Sequence, residues 1–168
     1  WAVPAISGAS LAGITTGKVL EAVSVTKSDT SRMAGSTAWT DVPSLTVDIT
    51  PSATSSKILI VASITLAHSN HANPRMVRDS TAIGNGTAVS SRPGVFGYAN
   101  NPGGANSAQS VTYNYLDSPS TTSATTYKIQ INNSNSSAAY LVNRTQGDSD
   151  AVYGGRSASS ITLMEIGA

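Results

Sequence analysis

The chain has 168 residues, no cysteine and a formal net charge of +1, with only 11% of its residues charged. These values exclude a disulfide framework and a thiolate metal site, and they are not those of a dedicated nucleic-acid or membrane-surface binder. No apolar run approaches the ~18 residues of a membrane-spanning helix.

One domain is expected at this length. The chain holds 27 Ser and 19 Thr, 24 Val and Ile together, and only two Glu and four Lys. Strong helix formers are scarce and β-branched residues abundant, so the composition is that of an all-β protein. Low net charge argues against disorder.

Residues 1–16 are small, uncharged and unpatterned, and are expected as an N-terminal arm or linker. The domain proper is expected over residues 17–168. Val19 to Val25 forms the first strand-like run. Leu45, Val47 and Ile49 alternate with Thr46, Asp48 and Thr50, as in a half-buried strand, and Pro51 then ends the ladder. Ile58 to Leu66 is apolar on both faces and is expected to be central and covered on both sides. Val111, Tyr113 and Tyr115 share one face of a further strand. Tyr127, Ile129 and Ile131 alternate with Lys128 and Gln130. Tyr140 to Val142 and Ile161 to Ile166 complete the set. The connections are rich in Ser, Thr, Gly, Asn and Pro, which make turns. Short strands at this spacing predict a single-domain antiparallel β-sandwich of jelly-roll type.

The stretch from Gly84 to Ser110 breaks the rhythm. Long loops in a compact domain are usually functional or disordered. This one combines Arg92, two aromatics (Phe96 and Tyr98) and the amides Asn100 and Asn101. That mixture gives contact area and adaptable hydrogen bonding, so the loop is the expected binding surface.

Other chemistry is thin. No two carboxylates are spaced for paired acid–base work, and no Gly-x-Ser-x-Gly or phosphate loop occurs. His68 and His71 are three residues apart without a third ligand, and are expected as turn residues; no catalytic residue, metal or cofactor is assigned. Trp39 is expected to cap the core, with a sugar platform as the alternative. Asn-x-Ser/Thr triplets begin at Asn85, Asn132, Asn135 and Asn143 and are expected to be unmodified chance matches.

Several segments in order carry a resemblance. They are Gly17-Lys-Val-Leu-Glu21, Val25-Thr-Lys-Ser-Asp-Thr30, Asp41 to Pro51 and Thr54 to Ile60, then Arg78 to Gly84, Tyr115 to Pro119, Thr122 to Lys128, Val142-Asn-Arg144 and Ala158 to Ile166. Together they resemble a family of bacteriophage virion proteins of marine type, described as tail-fibre, appendage or structural proteins. The resemblance implies a non-enzymatic β-sandwich module on the virion exterior, often the distal piece of a homotrimeric fibre. It brings no catalytic residue. On this reading the 1–16 arm joins other virion proteins, the loop contacts a host glycan or protein, and no nucleic acid or membrane insertion is involved. The two-faced strand 58–66 and the paired Tyr113 and Tyr115 suit packing between subunits. The alternative is a carbohydrate-binding β-sandwich module of a secreted protein.

Overall fold

The computed structural model describes residues 18–68, 70–100, 104–133 and 138–167, so the expected arm over 1–16 lies outside the described residues. Eleven strands are described: β1 (Val19–Lys27), β2 (Ser31–Met33), β3 (Thr40–Ile49), β4 (Lys57–His68), β5 (His71–Arg78), β6 (Thr81–Ala82), β7 (Ala99–Asn100), β8 (Gln109–Asp117), β9 (Thr125–Asn132), β10 (Tyr140–Val142) and β11 (Ser159–Ile166). β3 starts earlier than the alternation from Leu45 suggests. Pro43 offers no N–H and Ser44 sits at a φ of 60°, so the ladder to β9 breaks between Asp41 and Thr46 and resumes in phase with the apolar pattern.

The pairing is that of a long antiparallel hairpin wound on itself. β1 pairs with β11, β3 with β9, β4 with β8, and β5 with β6. Two further pairings, β11 to β4 and β9 to β5, close two sheets. The first sheet runs β1-β11-β4-β8 and the second β3-β9-β5-β6, with β10 and β2 extending the first and β7 pairing with β5. Successive long strands therefore alternate between sheets, which is jelly-roll topology. The expected fold is observed.

The core lies between the sheets. Ile58, Ile60, Ala62 and Ile64 of β4 face Ile129 and Ile131 of β9, Met76 of β5 and Leu45 and Ile49 of β3, in one cluster that also holds Ile161, Leu163 and Tyr140. Period-two alternation delivers each of these inward. The expectation that β4 is covered on both faces is corrected: Val61 is 40% exposed and Leu116, beside Leu59 on β8, is 53% exposed. Both pleat faces of β4 are apolar, but only one meets the second sheet.

A charged group joins the sheets at one end of the core. Asp117, the last residue of β8, is 4% exposed. Arg78 of β5 donates to both its carboxylate oxygens at 3.0 and 2.9 Å, and the Tyr127 hydroxyl of β9 donates at 2.7 Å. Burial and the bond to Asp117 push the Tyr127 hydroxyl far above the usual tyrosine range. Hydrogen bonds to charged groups contribute about 1.5–3 kcal/mol. Tyr127→Phe is expected to lower unfolding stability by that amount, read as a fall in urea midpoint at unchanged m-value. An unchanged midpoint would show that the bond contributes nothing.

Candidate functional site

The outward face of the second sheet is polar and ordered. On it Asp41, Gln130 and Arg75 lie side by side across β3, β9 and β5, with Asn132 beside Asn73 one step along. Gln130 donates to Asp41 at 2.6 Å, and Lys128 donates to the same carboxylate at 2.8 Å. Partial burial opposes ionisation of Asp41, but the bonds from Lys128 and Gln130 prevail and hold its pKa below the usual range. Arg75 donates to the Gln130 carbonyl at 2.9 and 2.6 Å, and its guanidinium lies 4.0 Å from the centre of the Trp39 ring. Trp39 therefore neither caps the core nor stands free as a platform. It is half-buried on the outer face under a cation.

The long connection between β6 and β8 crosses this face and also covers the free edge of β5. The Asn85 side chain accepts from Met76 N–H at 3.1 Å and donates to Met76 C=O at 3.0 Å, as a neighbouring strand would. Farther along, Phe96 N–H donates to Pro74 C=O at 3.1 Å, and β7 pairs with His71 and Ala72. Between these anchors the chain folds into a hairpin closed by reciprocal bonds between Val89 and Arg92, at 3.1 and 3.0 Å. Its neck is held by Gly86 N–H to Val95 C=O at 2.9 Å.

The hairpin divides the face into two clefts, each lined by Ala88 and Pro93. The larger, about 620 Å³, is bounded by the hairpin, by Thr37, and by His71, Asn73, Asn132 and Tyr98. The smaller, about 350 Å³, holds Trp39 and Arg75. Asn73 donates to the Asn132 carbonyl at 3.2 Å, and His71 and Tyr98 stack with centroids 5.8 Å apart and 18° between planes.

The residues expected at the loop separate accordingly. Arg92 is exposed at the hairpin tip and Tyr98 is 57% exposed; both line the large cleft. Phe96 is corrected: it packs on the core with its ring 4.9 Å from that of Tyr113. Asn100 is exposed on β7, outside both clefts, with its N–H donated to Gln109 at 2.7 Å. Asn101 lies outside the described residues. Tyr113, expected at a subunit interface, is 4% exposed and donates to Ile83 C=O at 2.9 Å, so it offers no surface to another chain. Tyr115 shares its face as expected, but faces Tyr113 and Gly84 and keeps 37% exposure.

The histidines were expected in a turn and are strand residues. His68 ends β4 and is 3% exposed; His71 begins β5. Asn70 N–H donates to His68 Nδ1 at 2.7 Å, which leaves Nε2 to donate to Ala138 C=O at 3.1 Å. Among the described residues no three His, Asp or Glu side chains form a cluster suited to a metal ion. The amide nitrogens of Asn85 and Asn132 donate once each, to Met76 and Thr37 C=O. Asn143 donates to both Lys27 and Asp29 C=O, at 2.8 and 3.0 Å, so a glycan on Asn143, which leaves a single N–H, would cost a bond. Sequence reasoning missed Asn73, Asn132 and Thr37, and gave His71 no binding role. The outward period-two positions of β5 and β9 were the available signal.

No family model matches the chain, and no curated protein matches it. Among solved structures the chain is similar to one described as "Structure of infectious bursal disease virus Gx strain", at 14% identity and a TM-score of 0.39. The match covers 86% of this chain and 37% of that chain, so this chain spans little more than a third of its length.

His68 makes the fold sensitive to pH. Burial, with the nearby His71 ring acting in the same direction, lowers its pKa from the usual value. The folded state thus favours the neutral ring. Its full contribution is present above the unfolded pKa of about 6.5 and is lost as pH falls from there toward the lower folded value. Urea midpoints measured at pH 7.5, 6.5 and 5.5 are expected to fall, and His68→Gln to flatten that slope. Equal slopes would remove His68 as the cause.

Proposed function

We propose that the chain is a non-enzymatic surface module of a virion, a fibre or appendage piece of the phage type whose segments it resembles. It assembles as a homotrimer through the first sheet and turns the clefted second sheet toward a host surface. The 1–16 arm would join it to other virion proteins.

The observation that carries this reading is the contrast between the two outer faces. Across β8, β4, β11 and β1, three outward rows are Leu116-Leu59-Met164-Ala22, Asn114-Val61-Thr162-Ser24 and Thr112-Ser63-Ser160-Thr26. Not one of these side chains is charged. All are accessible in the single chain, from half-buried Leu59, Met164, Thr162, Ser63 and Ser160 to exposed Leu116, Val61 and Asn114. Depletion of charge marks the centre of subunit interfaces. The second sheet instead carries Asp41, Lys128, Gln130 and Arg75 outward. Non-enzymatic function is supported by the carboxylates: Asp117, Asp41, Asp148 and Asp29 are held in ion pairs, and Glu165 accepts from Ser52 at 2.8 and 2.6 Å.

The cleft on the second sheet also favours a second reading, a carbohydrate-binding module of a secreted protein. Assembly separates the two, since such a module works as a monomer.

Light scattering at about 10 μM is expected to give three times the chain mass. Val61→Asp and Leu116→Asp place charge on the open face without touching the core. Each is expected to raise the dissociation constant by about tenfold or more, or about 1.4 kcal/mol. A monomeric wild type, with a cooperative melt, would replace the fibre reading by the second.

A further inference from the structure

The larger cleft has a composition that specifies a class of ligand. Its volume of about 620 Å³ lies within the roughly 300–1,000 Å³ of small-molecule sites. Its lining offers hydroxyls (Thr37, Ser90, Ser91) and amides (Asn73, Asn132, Asn133), together with Tyr98, His71 and Arg92, and contains no Asp or Glu. Amides and hydroxyls both donate and accept, which suits a ligand whose own hydroxyls do both. Neutral polar groups alone would not choose a charge. Arg92 does: its guanidinium makes no ion pair among the described residues. Asp41, an outward carboxylate on the same sheet, is held by Lys128 and Gln130.

The wall is also placed firmly. β7 pairs with the start of β5, and this sets Tyr98 flat against His71. A flat aromatic with 57% of its surface exposed can receive the apolar C–H face of a pyranose. The floor amides are fixed by the bond between Asn73 and Asn132 and by Asn132 to Thr37 C=O at 3.4 Å. Ordering costs on binding are therefore small on the protein side.

We propose that the cleft between the 88–93 hairpin and the second sheet binds an acidic saccharide unit, one bearing a carboxylate or a sulfate. The ring stacks on Tyr98, the hydroxyls bond Asn73, Asn132 and the hairpin serines, and Arg92 takes the anionic group as a charge-assisted pair. This deepens the reading as a host-contact module by naming the ligand. It rests on that reading for its setting alone, because binding is measured on the isolated protein.

The test is titration calorimetry of the whole chain at 50 mM salt. The probes are a sulfated heparin hexasaccharide, sialyllactose, neutral maltohexaose and adenosine monophosphate. Binding is expected for the sulfated probe or the carboxylated one, and which of them binds identifies the anionic group. Maltohexaose and the nucleotide are expected to bind at least tenfold more weakly. Arg92→Gln and Tyr98→Ala, both on exposed residues, should each weaken binding about tenfold or more. Arg92→Gln should also reduce its salt dependence. Leu116→Asp, on the opposite sheet, should leave it unchanged. Binding of the nucleotide as tightly as the sugars, or indifference to Arg92→Gln, overturns the ligand class. No binding of any saccharide, or loss on Trp39→Ala but not Tyr98→Ala, overturns the site. None of these outcomes bears on the trimer, which scattering decides separately.

Discussion

Asp117 is a carboxylate at the inner end of a strand whose neighbour in sequence, Leu116, is left in solvent. Sliding β8 by one residue would exchange them, since side chains alternate between faces. The slip would bring Leu116 inward, but it would also turn Val111 and Tyr113 out of the core and Thr112 and Asn114 into it. The slip is opposed a second time by the pair of donors on the other sheet, the Arg78 guanidinium and the Tyr127 hydroxyl. Leaving either without its acceptor would add a desolvation cost of roughly 1–3 kcal/mol. The ion pair therefore reinforces a register that the alternation of Val111, Tyr113 and Tyr115 already sets. Once β8 is fixed on β4, β5 and β9 are fixed above it, and the connection from β6 to β8 has its two ends placed.

That connection makes the two sides of the sandwich unlike. On one side the first sheet presents bare rows of Leu, Val, Met, Ser and Thr. On the other, the second sheet is crossed by a hairpin and cut into two clefts with charge and amides beneath. A sheet edge is usually blunted by charge, proline or a bulge. Here β5 is blunted by a discontinuous cover, in which the two residues of β6, main-chain bonds from Ile83 and Phe96, an asparagine side chain and the two residues of β7 stand in for a full strand.

The framework was legible because inward residues repeat at period two. Leu45, Val47 and Ile49, and Tyr127, Ile129 and Ile131, declare their faces in the sequence, and the winding follows from antiparallel pairing of first with last. The reading failed where alternation gave no sign. In β4 both faces are apolar, and nothing local says that one will remain open. Tyr113 reads as a surface tyrosine until Ile83, thirty residues earlier, is seen to accept its hydroxyl proton. Phe96 lay in a loop expected to be exposed, yet a loop this long needs an apolar anchor of its own. The cleft floor was invisible for a different reason. Asn73 and Asn132 are ordinary polar outward positions until β5 and β9 are paired in register and the hairpin is laid across them.

The attachment of that hairpin separates two kinds of freedom. Asn85 and Phe96 tie the chain to β5 on either side, and the Gly86–Val95 bond closes the neck above them. Residues 87–94 hang outside the ladder, so their length and sequence exert no leverage on strand pairing. Two positions are restricted: Gly94, where a side chain would strike the Gly86 carbonyl and force the neck open, and Ser90, whose φ of 56° disfavours β-branched residues. The hairpin is thus a cassette: outside those positions its contents can be exchanged, by drift or by grafting, while the strand pairing beneath registers no change.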